Sequence, residues 1–238
     1  MAMRWHDLLF MHWPIQASRL RKFVSPELEI EEFDGTAWLG VVPFRMSGVR
    51  HRLMPPVPGH SAFPELNVRT YVRSKVVPER AGVWFFSLDA TSRIAVRVAR
   101  ATFGLAYMDA RISCRTVGEG VEYQSRRTDR HGALAYGEAA TREAELVVGY
   151  QPTGAPTEPH PGSVESFLTD RYCLYARRRG RLVRGEIDHE PWRLQPAAAK
   201  IEANTMAAPI GMQDLAEPAL LHFARELDVR AWLPEAVV

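Results

Sequence analysis

Lysine is scarce in this sequence. Lys22, Lys75 and Lys200 are the only lysines among 30 basic residues in a chain of 238. The cationic side chains are therefore nearly all guanidinium, which suits fixed carboxylate pairing better than nucleophilic amine chemistry. Cysteine is scarcer still. Cys114 and Cys173 lie far apart without metal-type spacing, which reads as two reduced thiols filling a core, and as a cytosolic chain without a disulfide framework. Long apolar runs are missing too. At the N-terminus the longest, Leu8 to Met11, falls short of the 7 to 15 residues of a signal-peptide core, and nothing approaches the roughly 18 of a membrane helix. A cytoplasmic, soluble protein is the expectation, with no membrane partner. A surplus of one charge is absent as well. The formal net charge of +2 gives no general attraction for nucleic acid, so no nucleic-acid partner is expected.

Several motifs are also missing. G-x-S-x-G, G-x-G-x-x-G and the P-loop do not occur, which removes the common hydrolase, dinucleotide and phosphate signatures. There is no H-E-x-x-H. His6 and His12 read as one face of an N-terminal strand, but a metal needs three or four convergent ligands, so neither a metal nor a cofactor is expected.

What the chain does have is strand material. With 46% hydrophobic and 24% charged residues it can fill a core, and a single domain over residues 1–238 is the better reading. Residues 16–24 suggest a short helix ended by Ser25-Pro26. Asp34-Gly35 suggests a hairpin between extended runs at 28–33 and 36–46, in which Pro43 points to an edge or a bulge. Residues 47–63 read as an ordered, proline-rich loop. Residues 83–88 (VWFFSL) read as a strand buried on both faces. Thr91 or Ser92 can cap a helix running to Phe103. Its stripe of Ile94, Ala95, Val98 and Ala101 predicts packing against a sheet or inside a barrel, and Gly104 predicts its end. Further strands are expected near 107–115, 119–127, 139–150, 199–206 and 219–232. A short helix is expected at 164–169, and a hairpin over 172–188 turning at Arg179-Gly180. The cluster Arg177-Arg178-Arg179-Gly180-Arg181 then falls at a solvated turn. Exposed edges make a homodimer a natural partner state.

The segment Glu65 to Arg73 carries the most chemistry. Glu65, Asn67, Arg69, Tyr71 and Arg73 alternate with Leu66, Val68, Thr70 and Val72, so strand geometry sends the two sets to opposite faces. One reading is a strand with its polar face in water. The other is a pocket wall, with Glu65 as a proton-transfer group and Arg69 holding a carboxylate in two-point fashion beside Asn67. In Asp188-His189-Glu190-Pro191-Trp192, His189 is a second acid-base candidate. Arg45 and Tyr172 are further ligand-binding candidates.

Five segments, FDGTAWLGVVPFRMSGVR (33–50), PPVPGHSAFPELNVRTYV (55–72), GVWFFSLDA (82–90), SFLTDRYCLYA (166–176) and HEPWRL (189–194), resemble the YqjF-like family of uncharacterised conserved proteins, domain of unknown function 2071. The resemblance covers nearly the whole chain. It implies the acetoacetate decarboxylase-like superfamily: a mainly β (α+β), antiparallel barrel-like domain with one core helix and an internal pocket, one wall of which is a glutamate-bearing strand. Those decarboxylases use a Schiff-base lysine in a Gly-Phe-Pro-Lys-Lys-like stretch. Here the corresponding segment, by its place after the core helix, is Gly104-Leu105-Ala106-Tyr107-Met108, which has no amine. The expectation is a pocket for a small organic acid or similar polar metabolite. If catalytic, it would run acid-base lyase or hydrolase chemistry without covalent lysine. The alternative is a non-catalytic sensing or interaction domain that keeps the cavity.

Overall fold

The computed structural model describes residues 1–50, 61–213 and 215–237. Among these residues thirteen strands form. The first half contributes β1 (Ala2–Ile15), β2 (Leu28–Ile30), β3 (Ala37–Arg50), β4 (Phe63–Ser74), β5 (Ala81–Ala90), β6 (Tyr107–Val117) and β7 (Gly120–Arg127). The second contributes β8 (Glu145–Pro152), β9 (Cys173–Arg178), β10 (Arg181–His189), β11 (Gln195–Asn204), β12 (Leu220–Ala231) and β13 (Glu235–Ala236). Three α-helices interrupt them: α1 (Ala17–Leu20), α2 (Arg93–Phe103) and α3 (Val164–Thr169). No helix among the described residues is long and apolar enough to cross a membrane.

The strands run in the order β13-β10-β9-β5-β6-β7-β8-β11-β12-β1-β3-β4-β2, and the pairings β4–β5 and β10–β12 curl this sheet back on itself. Both closures depend on strands whose second edge is shared. Val83 and Trp84 of β5 pair with β9, while Leu88 to Ala90 pair with β6. Likewise His222 and Phe223 of β12 pair with β11, while Val229 to Ala231 pair with β10. The strands β12-β1-β3-β4-β5 thus form a wall common to two enclosures, one completed by β6-β7-β8-β11 and the other by β9-β10.

A wall shared in this way is buried on both faces. From β4, Leu66, Val68 and Val72 join Trp84, Phe86, Tyr123 and Val148 in one core. From its opposite face, Phe63 and Tyr71 enter two smaller clusters that also hold Phe10, Val42, Phe44, Leu88, Phe103 and Trp192. Glu65, Asn67 and Tyr71 of the polar set are therefore buried rather than in water, while Arg73 at the strand's end keeps a side chain 43% exposed.

Several expectations need correction. The Asp34-Gly35 turn forms, with both residues at positive φ and reciprocal bonds between Phe33 and Thr36. The hairpin stops there, because β1 and β4 occupy both edges of β3, and β2 pairs with β4 instead. Pro43 lies on a central strand, opposite a bulge in β1 that gives four residues to β3's three between His6↔Arg45 and Met11↔Val41. Asp7 sits in that bulge at φ 52, and the extra residue inverts the alternation. Trp5 and Leu8 therefore share one cluster, and His6 and His12 fall on opposite faces. Strand β3 continues to Arg50, so the loop expected at 47–63 is shorter; residues 51–60 of it lie outside those described. Strand β8 begins at Glu145 rather than 139, since the preceding chain is tied elsewhere by Ala140 N–H to the Pro209 carbonyl. Residues 16–24 split into four α-helical residues and a 3-10 turn at Arg21–Phe23.

Helix α2 starts where Ser92 accepts a bond from the Ala95 amide and ends at Gly104 in the left-handed conformation, φ 70. Its stripe does not pack into the sheet as expected. Val96 and Phe103 are buried, while Ile94 and Val98 stay at least half exposed on the rim of a cavity. The Arg179-Gly180 hairpin forms as read, with both residues at positive φ and Arg178 paired to Arg181.

Candidate functional site

The cavity has a volume of about 390 Å3 and lies between α2 and the shared wall. Its lining is mostly apolar, drawn from Trp5 and Met46, from Phe63, Phe85 and Leu88, from Ile94, Val98 and Phe103 of α2, and from Val229 on β12. Arg50 and Ser92 also border it, and two further polar groups face each other in it. The Tyr107 hydroxyl donates to Glu65 Oε2 at 2.7 Å. Glu65 is brought there by the odd-numbered face of β4, and its own carbonyl accepts from the buried Tyr123 hydroxyl at 2.7 Å, which fixes the strand behind it. Tyr107 is brought there by the end of α2. A Cβ at Gly104 would lie 2.5 Å from the Arg177 carbonyl oxygen, so only glycine allows the chain to turn so tightly beneath β9 before β6 begins.

Burial sets the electrostatics. The Glu65 carboxyl is pushed up to about 7, mainly because its charged form is taken out of water; the Tyr107 bond opposes the rise and the nearby Asp89 charge adds to it. The Tyr107 hydroxyl is held well above its ordinary value by burial and by the adjacent carboxyl. Asp89 belongs to the other face of the wall. Burial pushes its carboxyl up, and Arg127 opposes that rise by clasping it with Nε and Nη2, the shortest contact being 2.7 Å.

The six residues singled out in the sequence separate. Glu65 alone lines the cavity. Arg45 projects from the opposite face of β3 and pairs with Asp7 at 2.9 Å, where Arg225 also binds, which makes it part of the bulge anchor. Asn67 is buried, with its Oδ1 lacking a protein partner among the described residues. Arg69 lies further along β4, outside the cavity lining, donating to the Tyr71 hydroxyl at 3.4 Å and the Leu168 carbonyl at 3.3 Å. His189 is buried, stacks on Tyr172 at 4.7 Å between ring centres, and meets Trp192 in a tilted contact at 5.1 Å. Tyr172 itself borders an open surface groove with Arg80 and Arg184.

Tyr107 is the functional candidate that sequence reasoning missed. It stands fourth in Gly104-Leu105-Ala106-Tyr107-Met108, where the decarboxylase-like stretch has its first lysine. The available signal was a polar residue opening a strand directly after the core helix. None of the three lysines lines the cavity, and Lys200 is exposed and paired with Glu202.

Comparison with known proteins agrees with this architecture. DUF2071, a family of uncharacterized conserved proteins, matches residues 2–228. The uncharacterized protein YqjF of Bacillus subtilis (strain 168) is 39% identical over 232 residues, covering 98% of this chain and 90% of YqjF. Among solved structures, acetoacetate decarboxylase from Legionella pneumophila superposes with a TM-score of 0.62 at 12% identity, covering 100% of this chain and 88% of that one. An acetoacetate decarboxylase-like enzyme from Sphingomonas wittichii RW1 gives 0.62 at 12%, covering 100% and 92%. The enduracididine biosynthesis enzyme MppR, complexed with the condensation product of pyruvate and imidazole 4-carboxaldehyde, gives 0.60 at 10%, covering 99% and 89%. At these identities the structural likeness concerns the fold alone. The chain belongs to the DUF2071 family of uncharacterized conserved proteins and has an acetoacetate decarboxylase-like fold.

Proposed function

We propose that the cavity binds a small, uncharged and largely apolar carbonyl compound, and that Glu65 and Tyr107 perform acid-base chemistry on it. The observation that carries this reading is the carboxyl–phenol pair set in a mostly apolar lining. A volume of about 390 Å3 falls within the usual range for small-molecule sites, about 300–1,000 Å3. A carboxyl poised near 7 has both protonation states at hand at neutral pH, as a general acid or base requires. Ionised Glu65 takes the proton from the carbon next to the carbonyl, and the C–H electron pair becomes a C=C bond. The carbonyl oxygen gathers negative charge and is stabilised by the Tyr107 hydroxyl, which swings from Glu65 to the ligand. Return of the proton from Glu65 to a carbon of the enolate completes an isomerase cycle; in a lyase cycle the carbonyl re-forms, the C=C shifts one carbon along, and the leaving group departs with the bonding pair and takes the proton from Glu65. No lysine stands in the lining to form a Schiff base. Arg69, read from the sequence as the carboxylate holder, lies outside this lining, and the guanidinium that borders it belongs to the exposed Arg50. MppR, a protein of the same fold, is complexed with pyruvate, a keto acid.

The test is calorimetric titration of 2-heptanone against heptanoate on wild type, Glu65→Gln and Tyr107→Phe. Tighter binding of the ketone by wild type, weakened in Tyr107→Phe, supports the reading. Absence of ketone binding, or equal binding in all three proteins, contradicts it. Ketone binding with no chemical change would favour a sensing role over an enzyme.

A further inference from the structure

Arg69 has no counter-ion among the described residues. It is only partly exposed, its two protein hydrogen bonds are long, and no carboxylate there forms an ion pair with it. Its guanidinium lies over the Phe10 ring at 5.4 Å and the Tyr71 ring at 5.6 Å. Phe10 in turn packs edge-on against Trp192 at 5.0 Å, and Trp192 against His189. A charge held among aromatic rings ordinarily has a partner.

Three buried polar atoms in the same region also lack protein partners among the described residues: His12 Nδ1, His189 Nε2 and Asn67 Oδ1. Their chemistry can be assigned. Tyr71 accepts from Arg69, and its own proton has His12 Nε2, 2.6 Å away, as acceptor. Neutral His12 then carries its proton on Nδ1, which is a spare donor. His189 Nδ1 faces the Glu190 carbonyl at 2.7 Å and must donate to it, so Nε2 is a spare acceptor. Burial and the positive charge of Arg69 both keep these imidazoles neutral. The region thus holds a spare N–H donor on His12 and spare acceptors on His189 and Asn67, with the Arg69 charge acting on both imidazoles. That combination fits a molecule bearing both an anion and a hydroxyl.

We propose that Arg69, with Asn67 and His189, forms a second ligand site, distinct from the Glu65–Tyr107 cavity, that takes a small hydroxycarboxylic acid. The carboxylate sits on the Arg69 guanidinium, and the hydroxyl donates to His189 Nε2. His12 and Tyr71 hold Arg69 in place.

The experiment compares lactate with propionate, which differ by that hydroxyl, using titration calorimetry on the full chain with chloride as control. Wild type should bind lactate roughly tenfold more tightly than propionate, the size of one charge-reinforced or fully buried hydrogen bond. Arg69→Gln should weaken both by roughly tenfold or more. His189→Phe, which keeps the aromatic packing, should retain propionate binding and lose the preference for lactate. Glu65→Gln should behave as wild type, which separates this site from the cavity. The proposal is overturned if wild type binds neither acid better than chloride, if the preference survives in His189→Phe, or if Glu65→Gln abolishes binding.

Discussion

The Tyr107 hydroxyl donates to Glu65 Oε2 at 2.7 Å across an apolar cavity, joining the start of β6 to β4 over 42 residues of sequence. Each partner changes the other's acidity. The bond stabilises the carboxylate and partly offsets the burial that pushes Glu65 up to about 7. Tyr107→Phe is therefore predicted to move the Glu65 titration further upward, as followed by carbon NMR of labelled glutamate. A downward move would show that the phenol does not serve the charged form.

Stability should carry the imprint of the same carboxyl. Its folded value, about 7, lies above the ordinary glutamate value of 4.5, so the folded chain holds a proton that the unfolded chain releases. That contribution is complete below pH 4.5 and is lost as pH rises through about 7. The shift corresponds to about 3 kcal/mol as an order of magnitude. Urea unfolding of Glu65→Gln should accordingly show a stability gain over wild type that grows between about pH 5 and pH 8.

His12 acts in the opposite direction. Its burial holds the imidazole well below its ordinary 6.5, so folding favours the neutral ring. The stability it supplies is present above 6.5 and is lost as pH falls from there toward the folded value. His12→Gln should flatten the acid limb of the wild-type stability profile. An unchanged limb would assign it to other groups.

Gly104 links the helix to the site. Its φ of 70, and the 2.5 Å that would separate an added Cβ from the Arg177 carbonyl oxygen, make Gly104→Ala costly, by roughly 1–3 kcal/mol. Because this turn sets Tyr107, the variant should also weaken ketone binding. Gly180→Ala, at a hairpin tip with open space around it, should leave ketone binding unchanged.

Much of this architecture is legible in local patterns. Alternation along Glu65 to Val72 tells which side chains share a face, and Arg179-Gly180 marks its hairpin, because both depend only on neighbouring backbone geometry. What lies across the faces is not legible in this way. That β4 is buried on both sides follows from β5 and β12 each dividing an edge between two strands, a property of the closed sheet. The bulge at Asp7 is stabilised by Arg45 and Arg225, far away in sequence, so the parity change between His6 and His12 has no local sign. Tyr107 stands in a segment conspicuous for its missing amine, yet its role depends on Glu65 facing it. Family resemblance points to the cavity, and only the closed sheet brings the phenol to the carboxyl.

Glu65 and Tyr107 are proposed to work together on a carbonyl compound inside the cavity. The most direct measurement is exchange of the protons next to the carbonyl of 2-heptanone in deuterated water, followed by proton NMR. Wild type should accelerate the exchange, with activity rising through about pH 7 as Glu65 ionises, and both Glu65→Gln and Tyr107→Phe should lose most of it. Exchange no faster than in buffer, or rates unaffected by either substitution, would contradict that joint role.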